Sequence, residues 1–328
     1  MIGAVDIGGT KIAVGMVDDD GKVLSKLESP TDVSLVYSNG LERIAGMLRE
    51  TAHTAGMKIS GIGIGSTGPV NPFTGAFGDV DFLPQWRGKN LVEDLARTFN
   101  TRVVLENDAD AGALAEGGWG VGRNKWRLVY VTVGTGIGGG IILDGELYRG
   151  VDGAHPELGH QVIDPSGPLC TCGFRGCWEA LAAGPAIVAW FKSNTAADSR
   201  YAEDLTAKRI CQLAQQGDEL ALQAVKREAY YLGLGLANLV NLFTPDAIVL
   251  GGSVMKSAVL FLDGIRKVIR QGCRFVPFEK TELALASLGD DVNLIGAARA
   301  WHHRFRQPAQ PNSLPAPRGT KRKANPVQ

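Results

Sequence analysis

The chain has 328 residues, of which 45% are hydrophobic, and its 34 Lys and Arg residues balance its 34 Asp and Glu residues. This length and composition suffice for two domains with full cores. The zero net charge excludes a global field that would attract nucleic acid or an anionic membrane. The sequence contains neither a run of eighteen apolar residues nor a signal-peptide pattern at MIGAVDIGG, so we expect a cytoplasmic protein with no membrane partner.

The chain opens with a strand, a glycine turn and a second strand. Residues 2–7 are an apolar run containing Asp6, and Gly8-Gly9-Thr10-Lys11 follows them. A similar pattern returns at 128–147, where an apolar strand leads into Gly134-Thr135-Gly136 and then an Asp-Gly hairpin turn. Two such copies predict an internally duplicated architecture, in which each half carries one glycine turn facing a shared cleft.

Helical and strand periodicities alternate along the rest of the chain. The predicted helices are 39–56, 90–99, 108–120, 184–193, 204–216, 218–243 and 292–305, and the further predicted strands are 59–67, 101–107 and 246–252. Residues 306–328 contain five prolines, five basic residues and no acidic residue. Such a segment cannot bury apolar surface, so we expect a disordered basic, Pro-rich tail that is a solvated appendage rather than a polyanion-binding segment.

Three of the five cysteines lie close to a histidine. His160, Cys170, Cys172 and Cys177 supply one imidazole and three thiols, the ligand set of a closed tetrahedral zinc site. A redox thiol group is the alternative, whereas a disulfide framework is disfavoured by the odd cysteine count and the close Cys-x-Cys spacing. Cys211 and Cys273 stand alone and are expected to be small buried hydrophobes. We therefore predict structural Zn²⁺.

The glycine turns could also indicate a nucleotide site of another class. Gly134-x-Gly136-x-x-Gly139 satisfies the dinucleotide fingerprint, but an apolar strand and a hairpin follow it where that motif requires a helix. No Gly-x4-Gly-Lys-Ser/Thr sequence is present either. Tight turns that expose successive N–H groups still suit phosphate. With Gly251-Gly252 as a third turn, they are consistent with a nucleotide held between two lobes.

Glu106-Asn107-Asp108 lies where a predicted strand gives way to a helix. One interpretation is helix capping alone, since Asn and Asp both cap well. The other is that Asp108 points into the cleft, because functional groups often lie at this edge of a sheet. Trp86, Trp119 and Trp178 could stack on a sugar, but large aromatic residues more often belong to the core.

Seven motifs together resemble a known family. They are DIGGTK at 6–11, STGPV at 66–70, LENDADAGALAE at 105–116, GTGIGGG at 134–140, ELGH at 157–160, CTCGFRGCWE at 170–179 and LGGSV at 250–254. This set resembles the ROK family of bacterial sugar kinases and repressors, most of all its glucokinases. The resemblance runs over about residues 2–305 and implies a two-lobed, actin-like (ribonuclease H-like) ATPase fold. The implied N-terminal lobe consists of residues 1–118 and 292–305. The implied C-terminal lobe consists of residues 119–291 and contains the zinc loop at 157–179.

The resemblance also implies roles for individual residues. Asp108 is the expected general base, which would take the proton from the 6-hydroxyl of a hexose during transfer of the ATP γ-phosphate. The expected sugar-binding residues are Thr67, Gly68, Asn107, Asp108, Glu157, His160 and Glu179. The expected ATP-binding residues are Asp6, Gly8, Gly9, Thr10, Lys11, Thr135, Gly136, Gly251 and Gly252, with Asp6 facing Mg²⁺ directly or through water. Members usually form homodimers.

Several alternatives stay open at this point. His155-Pro156 before Glu157 departs from the Ala-Gly common in the family's glucokinases, so a fructokinase or an N-acetylmannosamine kinase is also considered. A sugar-sensing regulator without turnover is possible, although family repressors carry an N-terminal DNA-binding segment for which the phosphate motif at residue 6 leaves no room. A filament-forming actin-like protein would have no use for sugar-reading carboxylates.

Overall fold

The computed structural model describes residues 1–195, 201 and 205–306; the predicted tail lies outside these residues except for Arg306. Its first half is built on a five-stranded mixed sheet. The strands are β1 (Ile2–Ile7), β2 (Lys11–Val17), β3 (Val23–Pro30), β4 (Gly61–Ser66) and β5 (Val103–Asn107), and the helices of this half are α1 (Tyr37–Ala55), α2 (Leu91–Phe99) and α3 (Asp108–Gly118). The predicted elements are thus present, with ends that differ by one to two residues.

The second half is built on another five-stranded sheet. Its strands are β6 (Leu128–Val133), β7 (Ile137–Leu143), β8 (Glu146–Leu147), β9 (Ala247–Gly251) and β10 (Glu282–Leu285). Its helices are α4 (Trp178–Ala182), α5 (Gly184–Ser193), α6 (Ala207–Gln215), α7 (Glu219–Phe243) and α8 (Leu262–Gly272), and α9 (Val292–Phe305) ends the described chain. The long helix α7 begins where Asp218 caps it by accepting a hydrogen bond from the Ala221 amide at 2.9 Å.

The two sheets have the same topology. The strand orders are β3-β2-β1-β4-β5 and β8-β7-β6-β9-β10. In each sheet the first two pairings in chain order are antiparallel, and the last two are parallel. The predicted internal duplication is confirmed, and the two glycine turns occupy corresponding places between the first and second strands of each sheet.

Two helices cross between the sheets. Helix α3 continues from β5 of the first sheet but packs against β6 and β7 of the second, whereas α9 packs against β1 and β4. The two helices also pack on each other so closely that a Cβ atom on Gly296 would lie 2.2 Å from the Ala111 carbonyl oxygen. Glycine is therefore required at this crossing. The division of the chain after residue 118 stays a prediction.

Three elements, α4, α8 and β10, were not predicted from the sequence. Helix α8 buries Ile265 and Ile269, and together with Leu262 and Val268 these residues form an apolar stripe at helical spacing that could have predicted this helix. Strand β10 is the four-residue edge of the second sheet, and its side chains are half-buried or exposed. Trp86 and Trp178 are completely buried in the cores of the first and second lobe. Among the described helices, none combines the length and apolar character needed to cross a bilayer.

Candidate active site

Asp108 lies at the junction of β5 and α3, with its side chain freed from helix capping. Asn107 is the N-cap, and its Oδ1 accepts hydrogen bonds from the amides of Ala109 at 2.8 Å and Asp110 at 3.4 Å. The Asp108 carboxylate instead accepts from the Thr67 hydroxyl at 2.8 Å, and from the Ala109 amide at 2.9 Å. Capping and an active-site role thus fall on neighbouring residues, because Asn107 caps while Asp108 reaches across to the end of β4.

Two carboxylates of the first lobe repel each other here. Burial raises the pKa of Asp108, while the hydrogen bonds from Thr67 and Ala109 lower it. The pKa of Asp6 is raised to about 7, first by burial and then by the charge of Asp108, while Lys11 opposes the shift. Buried carboxylate oxygens that repel each other are a donor set that Mg²⁺ accepts, and a cation would offset their repulsion.

Hydrogen bonds to the backbone stabilise the glycine turn between β1 and β2. The Gly8 amide donates to the Lys11 carbonyl at 3.0 Å, and the Thr31 hydroxyl donates to the Gly8 carbonyl at 2.7 Å. The Lys11 ammonium does not point freely into the cleft, since it lies 2.6 Å from the carboxylate of Glu28. Both Lys11 and Lys26 hold the pKa of Glu28 down at about 2.

The corresponding turn of the second lobe is held by the zinc-loop segment. The Gly134 amide donates to the Gly136 carbonyl at 2.9 Å, and the Ile137 amide donates to Oε2 of Glu179 at 2.9 Å. A Cβ atom on Gly136 would lie 2.3 Å from that same oxygen, so glycine is required for the approach. Glu179, expected from the family resemblance to bind sugar, is therefore placed against the glycine turn expected to bind phosphate.

The third glycine turn, after β9, borders a cavity of about 450 Å³. Gly252 adopts a φ of +91°, and a Cβ atom there would lie 2.3 Å from the Val133 carbonyl oxygen. The residues that line this cavity include Gly251, Gly252, Ser253, Leu285, Ala286 and Gly289. The segment at 287–288, between the last two of these, is held by Glu116 near the end of α3, whose carboxylate accepts from the amides of Ser287 at 2.8 Å and Leu288 at 3.0 Å. Glu116 was not among the predicted site residues.

A second cavity, of about 490 Å³, lies between the loop after β4 and the loop after β8. Gly68, Asn107 and Glu157 line it, as do His155 and Asp152, which were not predicted as site residues. Asn71 donates to the Asp152 carbonyl at 3.4 Å, so the two lobes touch at its rim. The structure thus brings three of the predicted sugar-binding residues to one cavity beside Asp108.

Buried charge pairs surround the β5–α3 junction. Glu106 pairs with Arg149, whose Nε lies 3.3 Å from Oε2. Burial raises the pKa of Glu106, and the charge of Arg149 opposes that shift. Asp110 pairs with His155, with 2.9 Å between Oδ2 and Nδ1. Sequence patterns could not find these pairs because each joins residues more than forty positions apart.

The cysteine cluster has the dimensions of a zinc site. The ligand atoms of His160, Cys170, Cys172 and Cys177 all lie within 4.8 Å of one another. Cys170 Sγ lies 3.5 Å from His160 Nδ1, and the sulfurs of Cys172 and Cys177 are also 3.5 Å apart. Tetrahedral bonds of about 2.0–2.3 Å place neighbouring ligand atoms roughly 3.4–3.8 Å apart, so the residues fit Zn²⁺. Cys211 and Cys273 are buried away from the cluster, as predicted.

Comparison with known proteins places this site in context. The profile of the ROK family matches residues 2–304. The glucokinase of Thermotoga maritima is 33% identical over 312 residues, covering 92% of this chain and 97% of that protein. The crystal structure of a ROK family glucokinase from Streptomyces griseus in complex with glucose and AMPPNP is 34% identical, with a TM-score of 0.76 over 90% of this chain and 97% of that one.

A regulator is also similar over part of the chain. The xylose repressor of Bacillus subtilis is 36% identical over 219 residues, which are 66% of this chain and 55% of the repressor. Kinases and regulators therefore share this architecture, the mixed α/β two-sheet fold of the actin-like ATPases expected from the sequence motifs. The matches run through both sheets and the cleft between them, and the chain belongs to the ROK family.

Proposed function

We propose that the protein is an ATP-dependent hexose kinase, and specifically a glucokinase that transfers the γ-phosphate of ATP to the 6-hydroxyl of glucose. The observation that carries this proposal is the position of Asp108. It lies beside a cavity lined by polar groups, and its hydrogen-bond partner Thr67 follows the strand that adjoins the first glycine turn. The similarity to glucokinases at 33–36% identity supports the same activity.

In the proposed reaction, an Asp108 carboxylate oxygen takes the proton of the sugar 6-hydroxyl. The electron pair freed on that hydroxyl oxygen forms the new bond to the γ-phosphorus. The bond from the γ-phosphorus to the bridging oxygen breaks, and ADP leaves with the electron pair of that bond. Phosphoryl transfer needs positioning and charge neutralisation more than covalent chemistry from the protein. Thr67 fixes the orientation of Asp108 by its 2.8 Å hydrogen bond, and Asn107, Glu157 and the neighbouring Gly68 backbone are proposed to hold the remaining hydroxyls.

The nucleotide is proposed to lie across the three glycine turns, with Gly8, Gly9, Thr10, Lys11, Thr135 and Gly136 at the phosphates and Gly251 and Gly252 at the nucleoside. Mg²⁺ would travel with ATP and face Asp6. When bound, it would supply positive charge for the transferring phosphoryl group. Lys11 is paired with Glu28 and is about half exposed, and its ammonium has further N–H donors that could reach a phosphate.

The metal cluster is proposed to hold one Zn²⁺ in a structural role. His160 and the three cysteines would fill all four positions, leaving none open for catalysis. The metal would order the segment that carries Glu157, His160 and Glu179. We propose that His160 and Glu179 also reach the sugar once the cleft closes. Reduced thiols are needed for this ligand set, which favours a cytoplasmic protein.

A coupled assay of ADP release tests the function with glucose, mannose, fructose and N-acetylmannosamine as acceptors. We expect the highest kcat/KM with glucose. If kcat/KM were highest with fructose or N-acetylmannosamine, the proposed substrate would change, but the proposal of a hexose kinase would stand. Hexose binding by calorimetry without turnover of any of the four would instead favour a regulator, the alternative raised by the similarity to the xylose repressor.

The assembly is proposed to be a homodimer, as the family resemblance implies. Sedimentation velocity at micromolar concentration would measure it directly. We expect a species of about twice the chain mass of 34.8 kDa, and a monomer at all concentrations would contradict the proposal.

A further inference from the structure

The loop that follows β8 belongs to the second sheet by chain order, but it contacts the first lobe at both its base and its tip. This sugar loop, residues 149–157, supplies one wall of the proposed sugar cavity, to which it contributes Val151, Asp152, Ala154, His155 and Glu157. The facing wall comes from the loop after β4, including Gly68 and Asn71. The position of the sugar loop against the first lobe therefore sets the width of the cavity.

A buried ion pair holds the base of the sugar loop. Arg149 pairs with Glu106, which directly precedes Asn107 in β5, and the two side chains are 14% and 2% exposed. Nε of Arg149 lies 3.3 Å from Oε2 of Glu106, and Nη2 donates to Oε1, so the guanidinium contacts both carboxylate oxygens. Such a two-point contact fixes orientation as well as distance. A buried pair is also costly to break, because the charge that remains is left without water or a partner.

The tip of the sugar loop contacts the turn after β4. Asn71 Oδ1 accepts a hydrogen bond from the Phe73 amide at 2.9 Å, and its Nδ2 donates to the Asp152 carbonyl at 3.4 Å. Gly153 lies so close to Phe73 that a Cβ atom there would be 2.9 Å from a ring carbon. The guanidinium carbon of Arg304, in α9, lies 5.6 Å from the centroid of the same ring. The tip is thus packed on residues that are themselves held in place.

Between these two contacts, the sugar loop is closed by its own hydrogen bonds. The Gly150 amide donates to the Ala154 carbonyl at 2.8 Å, and the Ala154 amide donates to the Val151 carbonyl at 3.0 Å. After this closed turn, His155 Nδ1 lies 2.9 Å from Oδ2 of Asp110 in α3. A segment closed in this way moves as a unit, so a displacement of its base is transmitted to the residues that line the cavity.

We propose that Arg149 and Glu106 are positioning residues, and that their pair, together with the Phe73–Gly153 contact, holds the sugar loop at the distance from the first lobe at which the cavity binds a hexose. This inference rests on the proposed function, because it takes the cavity as the sugar site. Arg149 and Glu106 stand outside the set of residues that line the cavity, so the pair acts through the sugar loop and not by touching the sugar. The family resemblance assigned a role to neither residue.

The test is steady-state kinetics of Arg149→Gln and Arg149→Lys with the best hexose. Gln cannot form the ion pair, and we expect the KM for hexose to rise about tenfold or more, while kcat changes less than about threefold and the KM for ATP less than about twofold. Lys keeps a positive charge beside Glu106, so Arg149→Lys should recover most of the hexose affinity. A purely structural role would reduce the amount of active protein, which lowers the apparent kcat and leaves both KM values unchanged. That result would overturn the inference.

Arg127→Gln is the matched control. Arg127 also contacts both oxygens of a carboxylate, with Nη2 at 3.0 Å from Oδ1 and Nε at 3.4 Å from Oδ2 of Asp246. It lies just before β6 of the same lobe and outside the sets of residues that line the two cavities. Its KM for hexose should equal the wild-type value. If Arg127→Gln raised this KM as much as Arg149→Gln does, the sugar loop would not be the cause.

Phe73→Ala decides the question if Arg149→Gln does not fold. Phe73 is 56% exposed, so its removal should leave the core intact, and it stands outside the residues that line the cavity. We expect the KM for hexose to rise about threefold with kcat unchanged, because the tip loses the apolar surface on which it packs. An unchanged KM in this variant would contradict the inference.

Hydrogen exchange followed by mass spectrometry gives a second readout that needs no turnover. The amides of residues 150–154 should exchange faster in Arg149→Gln and in Phe73→Ala than in the wild-type protein, because the sugar loop opens more often when one of its contacts is lost. Equal exchange in all three proteins would overturn the inference. If these amides responded as expected but the wild-type protein phosphorylated no hexose, the proposed function would be wrong, and the attachment of the sugar loop to the first lobe would stand.

Discussion

The two lobes have the same five-stranded sheet and differ in what connects the strands. Between the third and fourth strands, the first lobe has residues 31–60 with one helix, whereas the second has residues 148–246, whose described part contains the metal loop and four helices. The glycine turns differ in the same way. The first is held by the Thr31 hydroxyl, and the second by the Glu179 carboxylate, which follows the metal ligands. Duplication thus provides two equivalent turns, and the long insertion gives the second one an external support.

The largest effect is expected at the carboxylate of Asp108, the proposed base. We expect Asp108→Asn to lower kcat about 10²- to 10⁴-fold, because the sugar hydroxyl loses its proton acceptor. Hexose binding, measured by calorimetry, should change much less. Asp79→Asn is the control, since Asp79 is 67% exposed and pairs only with Arg87 at the surface. Near-wild-type turnover in a folded Asp108→Asn protein would show that the base lies elsewhere.

Removal of the metal should affect the second lobe alone. We expect one zinc per chain by elemental analysis, and we expect Cys172→Ser to lose it and to bind hexose about 10- to 100-fold more weakly. The effect on ATP binding should be smaller, because this loop carries the proposed sugar-binding residues Glu157, His160 and Glu179. Cys273→Ala, which changes a buried cysteine outside the cluster, should keep its zinc. A zinc-free protein with full activity would refute the structural role.

The supports of the two turns can be compared directly. Glu179→Ala removes the acceptor of the Ile137 amide, and we expect the KM for ATP to rise about tenfold, as for a buried donor left without a partner. Thr31→Val removes only one donor to the Gly8 carbonyl, and we expect a rise of about threefold. Initial rates at saturating hexose measure both. Equal effects would mean that the metal-loop segment gives the second turn no special support.

The smallest effect is on stability and again concerns the second lobe. Glu228 is completely buried in α7, and neither of its carboxylate oxygens has a hydrogen-bond partner among the described residues. Burial raises its pKa from 4.5 to about 8, although the nearby Arg227 opposes the shift. The pKa of Glu228 is therefore higher in the folded protein than in the unfolded protein. The contribution of Glu228 to stability is fully present below about pH 4.5 and is lost progressively as the pH rises to about 8.

Glu228→Gln keeps the shape of the side chain and removes this titration. Scanning calorimetry at about pH 5.5 and about pH 8.5 should show the Tm of the wild-type protein falling by several degrees more than that of the variant. If the Tm of the two proteins fell by the same amount between these pH values, the titration of Glu228 would not be the cause of the fall.

Local patterns predicted the parts of the site that are close in sequence. The strand–turn–strand units, the junction at Asp108 and the four metal ligands each lie within a short segment, where spacing reports directly on geometry. The contacts of Glu179 with the Ile137 amide and of His155 with Asp110 join residues 42 and 45 positions apart. No periodicity encodes such a pairing, which forms only when segments far apart in the sequence pack together. The Lys11–Glu28 pair, between neighbouring strands of the first sheet, was not foreseen either.

Helix α3 carries Asp108 at its first residue and Glu116 near its last. Glu116 accepts hydrogen bonds from the amides of Ser287 and Leu288, which lie between the cavity-lining residues Ala286 and Gly289, so about 12 Å of helix joins the proposed base to this segment. An inserted or deleted residue between them would turn one carboxylate by about 100° relative to the other. The number of residues in α3 therefore fixes the relative orientation of its two carboxylates, and a change in that number would misalign both ends of the helix at once.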